Sequence, residues 1–170
     1  MTMRWDTARD ARTVHALVEE SDRAAALRTG TAAPVRRPEA TRRLVDLGVV
    51  RLGRVDGVAV VTVTVGPVPS FDPDGSALPR AELPWYMQRL AVRPGCPDPL
   101  AGVRAVRHAV ELASAAGADA LRAEANPDLP DVLTLLTALG FTRHNTLDGT
   151  PRRTRLHHCL ARRPSTTGGS

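Results

Sequence analysis

The sequence predicts an α/β (α+β) chain with a mixed, mostly antiparallel twisted sheet flanked by about four helices. Three observations carry that expectation. β-Branched runs stand on both sides of Asp56-Gly57, apolar residues recur at helical spacing in Val103 to Ala113 and Val132 to Leu139, and Gly- or Pro-containing breakers separate the runs. The element order is helix, helix, three strands, then helix, strand, helix and two strands, so an antiparallel meander passes into a βαβα unit.

Asp6-Thr7 precede a stretch that puts Val14, Leu17, Val18, Ser21 and Ala25 on one helical face, predicting a first helix that ends near Gly30. His15 falls with Glu19 and Asp22 on the opposite face and reads as a solvated histidine. Thr31 to Pro38 is a connection, and Glu39 to Leu47 a short helix stopped by Gly48. Val49 to Val55 and Val58 to Val65 form a hairpin, because Asp-Gly supplies the positive φ of a primed turn. The prolines after Gly66 remove ladder donors, so Gly66 to Arg80 is a long loop of the kind that often binds ligands; its Phe71, Asp72 and Asp74 could meet an ammonium group, and turn formation explains Asp-Pro-Asp-Gly equally well. The next strand is Trp85 to Val92. Pro94 to Pro99 then breaks the chain before a helix from Leu100 to Ala116 with a stripe of Val103, Val106, Val110 and Ala113. Leu121 to Ala125 is a strand, Asp131 to Leu139 a helix, and Thr142 to Leu147 and Arg155 to Leu160 the last two strands, joined by Asp148-Gly149. One domain is expected over 1–161, with 162–170 a polar tail expected to be disordered.

With 170 residues, 42% of them apolar, the chain suffices for one sizeable core. No apolar run approaches the roughly 18 to 20 residues of a membrane span, and the first residues lack a signal-like apolar stretch, so no membrane partner and a cytoplasmic location are expected. Two cysteines, Cys96 and Cys159, are too few for a disulfide framework or zinc site. The net charge is +5 and all 23 basic residues are arginine. They are spread along the chain and aromatics are only 3%, which argues against nucleic acid and suits an acidic or phosphorylated small ligand.

Arg89-Leu90-Ala91-Val92-Arg93-Pro94, Gly102 at a helix start, Leu121-Arg122-Ala123-Glu124-Ala125-Asn126 and Leu139-Gly140-Phe141 together resemble the Gcn5-related N-acetyltransferase (GNAT) family over Val49 to Leu160. The resemblance implies a GNAT-like sheet in which the strand matching Trp85 to Val92 bulges and splays from that matching Leu121 to Ala125. The arm of acetyl-CoA or another acyl-CoA would lie in the gap near Leu90, Ala91 and Val92, with Asn126 close by. Its diphosphate would sit on the helix start at Ala101, Gly102 and Val103. The implied reaction is acyl transfer to a small-molecule amine by a monomer or homodimer, with no metal.

The sequence departs from the family pattern at the phosphate loop. Pro97, Asp98, Pro99 and Leu100 stand where glycines and a basic or amide residue are usual, and the prolines delete amide donors while Asp98 adds a negative charge. The family's frequent tyrosine acid is Leu136 here. Tyr86, the only tyrosine, is a candidate acid, a substrate contact or an aromatic packed on the sheet; alternation groups it with Gln88 and groups Arg89 with Trp85 and Met87. Glu124 is a candidate base through water, or one side of an ion pair with Arg122 or Arg89. His108 reads as solvated, one of His144, His157 and His158 as able to reach the acceptor cleft, and Cys96 as a plain loop cysteine. An altered acyl donor, a different reaction in a specialised pathway, and a non-catalytic ligand-binding role stand as alternatives to the transferase.

Overall fold

The computed structural model describes residues 2–71 and 78–161. Seven strands form one sheet: β1 (Arg4–Thr7), β2 (Val50–Val55), β3 (Val58–Gly66), β4 (Pro84–Val92), β5 (Ala120–Ala125), β6 (Thr142–Leu147) and β7 (Arg153–Cys159). Their spatial order is β1-β2-β3-β4-β5-β7-β6, and only β4 and β5 pair in parallel. The helices are α1 (Ala11–Thr29), α2 (Pro38–Asp46), α3 (Ala101–Ala115) and α4 (Pro130–Ala138). The expected mixed, mostly antiparallel sheet with four helices is therefore present. Asp72, Asp74 and the 162–170 tail lie outside the described residues.

The hairpin turn has positive φ at both Asp56 (50°) and Gly57 (81°), the geometry a primed turn requires. β3 is buried along Ala59–Gly66 because both of its faces are covered. On one face Val14, Leu17 and Val18 of α1 and Val45 of α2 pack on Val50, Leu52, Ala59 and Ala91. On the other, α3 and α4 pack on Val61, Val63, Val65, Met87, Leu121, Ala123 and Leu156. Each fully buried Leu or Val contributes about 1.5–3 kcal/mol of transfer free energy.

Three expectations are corrected. Asp6-Thr7 belong to a short edge strand, and the cap of α1 is Asp10, whose carboxylate accepts from the Arg12 amide at 3.0 Å and the Thr13 hydroxyl at 2.6 Å. The buried stripe of α3 is Ala101, Ala105, Val106, Ala109 and Ala113, with Val110 only partly buried, since small side chains let the helix approach the sheet closely. His15 is half-buried against α2, with Nδ1 3.2 Å from the Thr41 hydroxyl. Among the described residues no helix is long and apolar enough to cross a membrane.

Candidate active site

β4 and β5 pair from Pro84↔Ala120 to Met87↔Ala123 and no further, so the β5-facing edge of Gln88 to Val92 has no strand partner. Just beyond that point the register between β3 and β4 slips: Thr64 pairs with Gln88 but Thr62 pairs with Ala91, leaving Arg89 and Leu90 opposite Val63. This is a β-bulge, and Arg89 occupies it at φ 52°, a left-handed conformation uncommon for a non-glycine residue. The bulge overturns the expected alternation. Arg89 turns to the α1/α2 side, where Nη1 donates to the Thr41 hydroxyl at 2.9 Å, while Leu90 packs toward the α3/α4 core.

The separation of the two strands opens a cleft of about 270 Å³. Gln88, Arg89 and Leu90 line it from β4, Glu124 and Ala125 from β5, and Asn126 and Leu129 from the turn before α4. Asp22, Arg36, Ser70 and Arg153 reach it from distant parts of the chain. The Asp22 carboxylate accepts from Arg36 Nε at 2.7 Å and Nη2 at 3.2 Å, which fixes the connection after α1 against the cleft. A second hollow, about 690 Å³, runs beside the first between that connection and the β6–β7 turn, sharing Asp22, Arg36, Asn126, Leu129 and Arg153 with it.

Of the two catalytic candidates, the structure places Glu124 in the cleft and Tyr86 out of its lining. Glu124 is half-buried and lies opposite Arg155 on β7, with Arg155 Nε 3.4 Å from its Oε1. Its ion-pair partner is thus Arg155, not Arg122 or Arg89, because the antiparallel register sets Arg155 directly across. Tyr86 is only 4% exposed, with Phe71 edge-on at 5.5 Å and its hydroxyl 3.4 Å from Arg122 Nη1. Arg122, itself buried, donates from Nη2 to the Pro79 carbonyl at 2.8 Å, so this pair anchors the loop before β4.

The expected donor-binding residues divide in two. Leu90 and Asn126 line the cleft, and the Asn126 carboxamide oxygen accepts from the Asp128 amide at 2.9 Å, an Asx-type turn that leads into α4. Ala91 is buried on the α1/α2 side and Ala101 against α3's core, whereas Val92 lies at the Gly102 position. A Cβ on Gly102 would meet Leu135 Cδ2 at 3.5 Å and Val92 Cγ2 at 3.7 Å, so a side chain there points between α3, α4 and β4.

Asp98 is 8% exposed at its side chain and turned onto the start of α3, its Oδ1 accepting from the Leu100 amide at 2.9 Å and its Oδ2 from Arg104 Nε at 2.8 Å. It therefore supplies from within the chain the negative charge that a helix start favours. The Gly102 and Val103 amides, in the same first turn, have no backbone acceptor among the described residues.

The remaining candidates stand apart. His108 is stacked on Trp5 at 4.4 Å instead of being solvated, and burial lowers its pKa. His157 is buried with Nδ1 lacking a partner among the described residues, His144 lies edge-on to it at 6.0 Å, and His158 stacks on Phe141 with Nδ1 2.9 Å from the Gly140 carbonyl. None of the three lines the cleft. The Cys96 thiol donates to the Asp98 carbonyl at 3.5 Å. Sequence reasoning missed Asp22, Arg36, Arg89 and Arg153 as cleft residues; only the Arg89-Leu90 segment of the resemblance offered a signal.

No protein-family model and no curated protein matches the chain. Solved structures do. A GNAT-family acetyltransferase from Streptococcus agalactiae is 14% identical with a TM-score of 0.74, covering 94% of this chain and 96% of that one. An agmatine N-acetyltransferase is 14% identical with a TM-score of 0.69 over 93% of this chain and 99% of that one. A chain of a NatC complex bound to Gag peptide and CoA is 12% identical with a TM-score of 0.68 over 95% and 100%. With its parallel β4–β5 pair, the bulge beside it and the cleft where the two part, this chain has the fold of the GNAT acetyltransferases.

Proposed function

We propose that the chain is a CoA-dependent N-acyltransferase, moving an acyl group, most simply acetyl, from acyl-CoA to a small-molecule amine. The observation that carries this reading is the unpaired inner edge of β4 at Gln88 to Val92, whose first residues line the cleft where β4 and β5 part. An extended amide-bearing arm would complete that edge as an added strand does. In this reading Leu90, which lines the cleft, and Val92 supply the edge, Asn126 the far wall, and the Gly102 and Val103 amides at the start of α3 would take the diphosphate. The likeness in fold to structures that include an agmatine N-acetyltransferase and a CoA-bound NatC chain supports the same reading.

The chemistry asks little of the chain. An amine nitrogen attacks the thioester carbonyl, a C–N bond forms, the C–S bond breaks, and the amine's proton passes through water to the Glu124 carboxylate. The thiolate takes its proton from solvent at the cleft mouth, since Tyr86 is covered. The Asp98 carboxylate at the start of α3 favours a second reading, a donor other than acetyl-CoA.

Thermal stability and calorimetry with acetyl-CoA, free CoA and a longer acyl-CoA test both. A donor at about a hundred times its Kd adds about 2.7 kcal/mol of stability. Stabilisation by this series, followed by thiol release with an amine, is the expected result. No response at millimolar ligand overturns the CoA-dependent reading.

A further inference from the structure

Five charged side chains line the cleft: Asp22, Arg36, Arg89, Glu124 and Arg153. Asp22 is taken by Arg36 through two hydrogen bonds, and Glu124 faces Arg155. Arg89 and Arg153 are left with no carboxylate partner among the described residues. Among the described residues Arg89 has only the Thr41 hydroxyl, and Arg153 has no hydrogen bond or ion pair. Both are half-buried.

A half-buried guanidinium without an anion forfeits hydration without the compensating pair. At Arg89 burial, with Arg36 nearby, lowers the pKa, and Asp22 opposes that shift. The same residue holds φ at 52°, so a strained bulge keeps this cation beside the splayed strands. Arg153 lines both the cleft and the neighbouring hollow and stands where they meet. That hollow is walled by Ala25, Ala26, Pro34, Val35 and Pro151, a surface suited to an apolar body.

We propose that the amine acceptor carries a carboxylate, held by Arg89 and Arg153, with an apolar body in the adjoining hollow: a small apolar amino acid or its near analogue. This deepens the acyltransferase reading and rests on it for the identity of the cleft. Planar guanidinium forks match a carboxylate, and a second cationic group on the acceptor would meet net positive charge.

The test pairs L-leucine and L-phenylalanine with their carboxamides, adding agmatine as a cationic arm and O-phosphoethanolamine as a phosphate arm. The carboxamides have the less basic amine, so intrinsic amine reactivity favours them and any preference for the acids is the protein's own. With acetyl-CoA, kcat/KM for the acids should exceed that for the carboxamides by about tenfold or more, mostly through KM. Arg153→Gln, whose parent side chain has no bonding partner among the described residues, should bring the ratio toward one, and Arg89→Gln should do the same. Thermal shift with the acids alone reads binding without turnover: the acids should raise the Tm, the carboxamides should not, and Arg153→Gln should erase the difference.

Equal or better binding of the carboxamides, agmatine or O-phosphoethanolamine overturns the proposal, as does an equal loss for acid and amide in Arg153→Gln, or no Tm shift with either acid. A carboxylate-selective Tm shift in a protein that ignores acetyl-CoA would sink the acyltransferase reading instead and leave the carboxylate site standing.

Discussion

The carboxylate of Asp98 and the guanidinium of Arg104 meet at 2.8 Å across the first turn of α3, and the other oxygen of Asp98 holds the Leu100 amide. A negative charge of the chain's own thus sits at the end of the helix where a diphosphate would be drawn, and it occupies one of the nearby cations. Asp98→Asn keeps a side-chain oxygen for the Leu100 amide, removes the charge and releases Arg104. Acetyl-CoA affinity should then rise several-fold, by more at low ionic strength than at high, since the gain is coulombic. Calorimetric Kd values for both proteins at two salt concentrations check this. Unchanged affinity would mean that the donor's phosphates lie away from α3.

Glu124 is the carboxylate in the cleft that is nearest in sequence to the unpaired part of β5, and it is partly open to water. Glu124→Gln preserves size and hydrogen bonding while abolishing proton acceptance. The kcat should fall by about a hundredfold, the usual contribution of a positioned base, with KM changed little. Steady-state kinetics with a saturating donor give the split. A drop of less than threefold would leave proton removal to solvent.

Tyr86→Phe should do little. Among the described residues its hydroxyl has a single hydrogen-bond contact, 3.4 Å from Arg122 Nη1, longer than a good hydrogen bond, and Phe71 packs edge-on against the ring. A kcat within threefold of the parent is expected. A fall of about a hundredfold would instead make the hydroxyl a general acid reached through a movement of the loop before β4.

The hairpin was readable from Asp56-Gly57 because that dipeptide solves a local problem, two consecutive residues at positive φ. α3 and α4 were readable from apolar residues at helical spacing and from the breakers beside them, Pro94 to Pro99 before α3 and Gly140 after α4. β1 was not: four residues with one half-buried side chain carry no period, and its strand character comes from pairing with β2. The bulge was implied by the family resemblance, but its consequence for Arg89 was not, since nothing in an Arg-Leu pair announces a left-handed residue. Glu124 and Asn126 could be named because they follow one another on β5 and the turn after it. Asp22, Arg36 and Arg153 could not, because only the sheet order brings α1, the connection after it and β7 to one cleft.

Stability should fall as pH is lowered from 7.5 to about 5.5, and two histidines set the direction. His108 has its pKa lowered by burial, which outweighs the opposing Glu111 and is reinforced by Arg51. His157 is lowered by burial first and then by Arg122 and His144. Each binds its proton more readily in the unfolded chain, where the ordinary value is about 6.5. Between the folded and unfolded values the unfolded state therefore holds more protons, and stability rises with pH. The full contribution is present above about 6.5, is lost as pH falls below it, and levels off beneath the folded values. The slope cannot exceed about 1.4 kcal/mol per pH unit for each histidine. Asp10 and Asp128, both lowered from 3.8 chiefly by side-chain hydrogen bonds from Thr13 and Arg152, lose their contribution only at more acidic pH, outside this window. Urea unfolding at pH 5.5, 6.5 and 7.5 measures the slope, and His108→Gln should reduce it even though loss of the Trp5 stack lowers stability throughout. A slope unchanged in both His108→Gln and His157→Gln would place the titrating groups elsewhere.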